Sequence, residues 1–149
     1  MSFSDNPLHE STSWEAGMSV RREVMGDSFV DNALARTDGT ESAELQRFVT
    51  EHVWGAVWTR PGLDRRSRSL LNLGMLTALR AHEELAGHVR GALANGLTHE
   101  EIVEAIIHTA AYCGAPAALS AMRIVQQTFD ATANRASTES PAYPPQPSE

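Results

Sequence analysis

The stretch over residues 60–96, RPGLDRRSRSLLNLGMLTALRAHEELAGHVRGALANG, decides how the rest of the chain reads. Pro61-Gly62 makes a turn, and Asp64 behind it is placed to cap a helix whose first turn carries Arg65, Arg66 and Arg68. Leu70, Leu71, Leu73, Met75, Leu76 and Leu79 then fall on nearly every side, so a helix over 63–80 is expected to be buried all round. In the next segment Leu85, Val89, Ala92 and Leu93 recur at helical spacing, and Asn95-Gly96 supplies a left-handed stop. His88 falls inside that apolar stripe and is expected to point inward.

The same period continues on both sides of this pair. Trp14, Met18 and Met25 mark a helix over 14–25 that Gly26 ends, and Phe29, Val30, Ala33 and Leu34 mark a short one from 27 to about 35. Leu45, Phe48, Val49, Val53 and Val57 predict a helix over 41–58, with Trp54 and Trp58 four apart near its end. Thr98 stands three residues before Glu101, the spacing of a capping box. The helix it opens buries Ile102, Ala105, Ile106 and Ala110 and stops near Cys113-Gly114. A last helix over 115–132 tolerates Pro116 in its first turn and turns Ala118, Leu119, Met122, Val125 and Phe129 inward. No strand pattern occurs. The expected fold class is all-α, a bundle of about six to seven helices over 14–133, with a flexible arm at 1–13 and a disordered Pro/Ser-rich tail at 134–149.

Composition narrows the function. A chain of 149 residues is about one domain long. Its net charge of -7 argues against a nucleic-acid partner, and against reading the GLTHEE turn as part of a DNA-binding motif. All 12 basic residues are arginine, so lysine Schiff-base chemistry is excluded. Cys113 is the single cysteine, which rules out an intrachain disulfide and a Cys-x-x-Cys pair. The histidines are scattered and no His-Glu-x-x-His occurs, so no metal is expected. The polar start and the lack of an apolar run of about 18 residues predict no membrane span and a cytoplasmic protein. Pro141-x-x-Pro144 and Pro144-x-x-Pro147 form a weak polyproline pattern in the tail.

Four segments carry a resemblance: RREVMGDSFVD from Arg21, HVWGAVWTRPGLDRRSRSLLNLGML from His52, HVRGALANGLTHEEI from His88, and AAYCGAPAA from Ala110. In this order, across about residues 14–132, the chain resembles the carboxymuconolactone decarboxylase family. The resemblance implies an all-helical fold shared with AhpD-type peroxidases, assembly into homotrimers or homohexamers, and decarboxylation without a cofactor. The implied reaction converts γ-carboxymuconolactone, a small anionic lactone, to β-ketoadipate enol-lactone in protocatechuate breakdown. The peroxidase branch carries Cys-x-x-Cys-x-x-x-His, whereas here Cys113 is followed by Pro116 and Ser120, leaving no second sulfur for disulfide chemistry.

The implied substrate is an unsaturated lactone bearing a carboxylate and an acetate arm on one ring carbon. Losing carbon dioxide sends the electron pair through the ring double bond onto the lactone carbonyl, so the substrate is its own electron sink. The protein must hold the acetate, support the enolate oxygen and supply a proton to carbon. A guanidinium suits the first task through paired hydrogen bonds. Arg65 is preferred and Arg22 second, among Arg22, Arg60, Arg65, Arg66 and Arg68. His88 suits the other two as hydrogen-bond donor and acid, with Glu51 as the alternative proton donor. Trp54 is a candidate ring wall, as is Trp58, and Cys113 a candidate pocket residue. Each has a plainer reading: His88 as a hydrogen-bonded core residue, Glu51 as an exposed helical carboxylate, Glu101 as a capping residue, Cys113 as a small buried hydrophobe. Two other functions remain open on these residues, a relative acting on another lactone or natural product, and a silent helical oligomer that binds a small acid.

Overall fold

The computed structural model describes residues 7–138, with side chains from Ser13 onward. The expectations for residues 1–6 and for the tail beyond 138, including its polyproline pattern, lie outside the described residues. Seven α-helices and no strand are present among those residues: α1 (Pro7–Met25), α2 (Asp27–Thr37), α3 (Ser42–Phe48), α4 (Arg65–Leu79), α5 (His82–Ala94), α6 (His99–Cys113) and α7 (Ala115–Thr138). The all-α expectation holds. α1 begins at Pro7 rather than Trp14, and α7 runs to Thr138 rather than 132.

The stop and start signals act as read. Asp64 accepts a hydrogen bond from the Ser67 amide at 2.7 Å, and Thr98 and Glu101 cap α6 reciprocally. Such caps stabilise a helix by about 1 kcal/mol each. α4, α5, α6 and α7 close around Leu73, Leu85, Val89, Ile102, Ile106 and Val125, all essentially inaccessible to water. Each large side chain buried there contributes about 1.5–3 kcal/mol. A second cluster of Val20, Val24, Trp54 and Trp58 lies where α1 meets the segment after α3.

Two faces expected to be buried are open in the single chain. In α4 only Leu73 among the leucines is fully buried, while Leu71 is 53%, Met75 52% and Leu79 75% exposed. The α6–α7 hairpin likewise leaves Leu119 and Ala110 on the outside, although both were expected inward. One chain has too few helices to cover α4 on every side. No helix among the described residues is long and apolar enough to cross a membrane.

The predicted single helix over 41–58 is also interrupted. α3 ends at Phe48, and Val49–Trp54 continues as a π-helical turn, with Gly55 N–H bonded to Thr50 O at 2.9 Å and Trp58 N–H to Val53 O at 3.1 Å. α1 crosses this turn at backbone contact. A β-carbon on Gly17 would stand 2.1 Å from the Thr50 carbonyl oxygen, and one on Gly55 would stand 2.3 Å from that of Ser13. Only glycines permit the crossing.

Candidate active site

The π-helical turn determines where the tryptophans go. Trp54 ends it and Trp58 lies one wide turn on, so their rings stack 4.9 Å apart at 25° on the Val20/Val24 side of α1. The imidazole of His88, on α5, completes the stack. It lies 6.2 Å from the Trp54 ring at 4° and 6.3 Å from the Trp58 ring at 22°. Three nearly parallel rings from two elements thus form one wall.

α4 packs antiparallel to α5 and meets it through a polar seam inside the apolar contact. The Asn72 amide nitrogen lies 3.3 Å from His88 Nδ1, and one turn earlier on α4 the Ser69 hydroxyl accepts from the Asn95 amide at 3.0 Å. Ser69, Asn72 and Leu73 share the inward side of α4, while His88 and Asn95, seven apart, share one side of α5. An amide nitrogen only donates, so Nδ1 is the acceptor and the ring proton sits on Nε2. Burial among the tryptophans lowers the His88 pKa below its ordinary 6.5, and the negative charge of Glu84 one turn away opposes this only in part. At neutral pH His88 is therefore an uncharged ring with a hydrogen to give from Nε2.

The remaining candidates do not all converge here. Trp54 does. Arg65 pairs with Glu23 at 2.5 Å, and Arg22 pairs with Asp31 at 2.7 Å and Asp27 at 3.1 Å. Glu51 accepts from Arg47 at 2.9 Å, and its side chain is only 14% exposed, so the plainer reading of it as an exposed carboxylate does not hold. Glu101 caps α6 and also holds Arg66. Cys113 is the last residue of α6, half-buried at the turn into α7. The preferred arginines are thus already neutralised by carboxylates of the same chain, contacts between elements distant in sequence that helical spacing does not reveal. Helical spacing puts Asn72 on the same face as Leu73 and Leu76 but does not show that it meets His88. Its signal was a lone amide among Leu70, Leu71 and Leu73. Among the described residues no three His, Cys, Asp or Glu side chains gather closely enough to hold a metal ion.

The region holding these elements, residues 43–127, matches the model of the carboxymuconolactone decarboxylase family. The chain belongs to this family. A 4-carboxymuconolactone decarboxylase from Acinetobacter baylyi is 35% identical over 122 residues, which span 82% of this chain and 90% of that protein. A nitrosuccinic acid decarboxylase from Metarhizium robertsii is 45% identical over 117 residues, 78% of this chain and 81% of that one. Both relatives are decarboxylases by name, and the family match contains Trp54, Trp58, Asn72 and His88 together. In this chain α1 and α2 lie outside the family match, yet α1 supplies the backbone crossing that seats the two tryptophans.

Proposed function

We propose that the chain is a cofactor-independent carboxy-lyase that converts 4-carboxymuconolactone to β-ketoadipate enol-lactone in protocatechuate catabolism. The observation that supports it best is His88: a neutral ring, oriented by Asn72 and walled by Trp54 and Trp58, with Nε2–H as a donor. As the carbon–carboxylate bond breaks, negative charge grows on the lactone carbonyl oxygen. A donor held in an apolar wall stabilises that charge more than the neutral carbonyl, which is what lowers a barrier. Burial favours the uncharged ring, so of the two tasks expected of His88 the donor role is kept. The proton that replaces carbon dioxide comes from solvent, one taken up per turnover.

A second substrate has its own support in the 45% identical nitrosuccinic acid decarboxylase. In nitrosuccinate the leaving carboxylate sits on the carbon bearing the nitro group, and the electron pair moves onto nitro oxygens as a nitronate. The demands on the protein match: one oxygen sink to support and a second carboxylate to hold. Incubating the pure protein with each compound, and following carbon dioxide release with the lactone or nitronate absorbance, decides between them. Turnover of the lactone at a kcat/KM at least about tenfold above that of nitrosuccinate is expected. Turnover of neither would refute the lyase reading.

The pH profile tests the protonation state. The neutral ring exists above the lowered pKa, so kcat/KM should be flat above pH about 6.5 and fall on the acid side, with a midpoint below that value. A requirement for imidazolium has the opposite sign, with activity lost as pH rises.

The exposed faces of α4 and of the α6–α7 hairpin support a homo-oligomer, a trimer or hexamer. Leu71, Met75 and Leu79 lie at one-turn intervals on α4, and Ile107, Ala110, Leu119 and Met122 border an apolar groove of about 240 Å³. Sedimentation at micromolar concentration should show an assembly, and monomer alone would overturn this.

A further inference from the structure

Arg68 stands apart from the other candidate arginines. Arg22, Arg65 and Arg66 each pair with a carboxylate, and Arg60 is exposed at the surface. Arg68 pairs with no carboxylate among the described residues. Its Nη2 donates to the Arg60 carbonyl oxygen at 2.9 Å, and its Nε, shielded from water, has no hydrogen-bond partner. The Nη end of the guanidinium is not shielded, so it is open to an acceptor from outside the chain.

Its position suits one. Arg60 follows Trp58 by two residues, so Nη2 ties the guanidinium to the chain leaving the tryptophan wall. One helical turn along α4 from Arg68, Asn72 holds His88. Arg68 therefore bridges α4 and the end of the wall against which His88 is stacked. Arg21, also with an unpaired Nε, differs: both its terminal nitrogens are spent on Thr50 and Gln46, joining α1 to the π-helical turn and α3.

We propose that Arg68 grips the carboxylate that the substrate keeps, and that it thereby makes the enzyme specific for dicarboxylates. This rests on the decarboxylase reading above. A guanidinium has five N–H groups; Nε–H is shielded and the Arg60 carbonyl engages one Nη2 hydrogen, leaving the Nη1 hydrogens and the second Nη2 hydrogen for a two-point grip on a carboxylate. Both substrates considered above are dicarboxylates that lose one carboxylate and retain the other. A guanidinium beside the leaving carboxylate would stabilise the starting state and slow the reaction. Beside the retained one it binds starting and transition states alike.

The kinetic test is Arg68→Gln, in which the amide can still donate to the Arg60 carbonyl, with folding and assembly checked by circular dichroism and sedimentation. KM should rise about tenfold or more while kcat stays within about threefold, and Arg68→Lys should recover only part of the loss. A direct test does not depend on turnover. Succinate, titrated against tryptophan fluorescence, should bind the wild type at least about tenfold more tightly than Arg68→Gln, while succinamide, with both carboxylates made amides, should bind both proteins alike. Equal succinate affinity in the two proteins, or no binding by the wild type, overturns the assignment of Arg68. If succinate discrimination is present but neither proposed substrate is decarboxylated, the lyase reading fails and the dicarboxylate site stands.

Discussion

Replacing His88 by alanine is expected to lower kcat by about a hundredfold or more while leaving KM nearly unchanged. The Nε2–H group supports an oxygen whose charge exists only as carbon dioxide leaves, so its removal raises the barrier without weakening the bound ground state. Loss of one preorganised donor to an oxyanion costs about 2.7–4 kcal/mol, which corresponds to about a hundredfold to a thousandfold in rate. His88→Gln, which keeps an N–H donor at similar reach, should lose less. Asn72→Leu should fall between, because the ring remains but the partner that places its proton on Nε2 is gone. A folded, assembled His88→Ala protein with kcat within threefold of wild type would remove His88 from the chemistry, and attention would pass to Glu51.

Gly17→Ala is expected to be the most damaging single-methyl change in the chain. The added β-carbon would lie 2.1 Å from the Thr50 carbonyl oxygen and 2.8 Å from the Gly55 nitrogen, both backbone atoms that no rotamer change can move. Inserting a methylene into a packed core typically costs about 1–3 kcal/mol, and a clash of backbone with backbone belongs at or beyond the top of that range. A fall in Tm of about 10 °C or more follows for a chain of this size, with a loss of activity as Trp54 and Trp58 shift on the displaced π-helical turn. Gly74→Ala provides the contrast. Gly74 lies within α4 and a β-carbon there meets nothing within 4 Å, so the better helix former should leave the folded chain unchanged or stabilise it by up to about 1 kcal/mol. Equal Tm values for Gly17→Ala and wild type would show that the crossing is looser than the backbone distances imply.

These two predictions separate what the linear pattern carries from what only packing creates. Helices and their ends are local events: Asp64 reaches the amide three residues on, Thr98 and Glu101 close a box within one turn, and the run around Leu73, Leu85, Ile102 and Ile106 repeats at the period of the core. The inward direction of His88 was legible for the same reason, since its neighbours on α5 define the buried side. The resemblance carried by the central segments placed the chain in its family before any contact was known.

Which charged groups remain available for a ligand was settled only in three dimensions. Arg65 and Arg68 open the same helix three residues apart, and nothing in their spacing separates them. Glu23, 42 residues away, neutralises the first, while the second is left with an unpaired nitrogen beside the chain leaving Trp58. The π-helical turn likewise had no periodic signature in residues 41–58, because its cause lies on another helix, where Gly17 lets backbone meet backbone. Local periodicity determined that this chain is a helical bundle with a histidine on the inward face of α5. Long-range pairing decided that Arg65 meets a carboxylate and Arg68 does not, which proton the histidine keeps, and which leucines of α4 stay exposed.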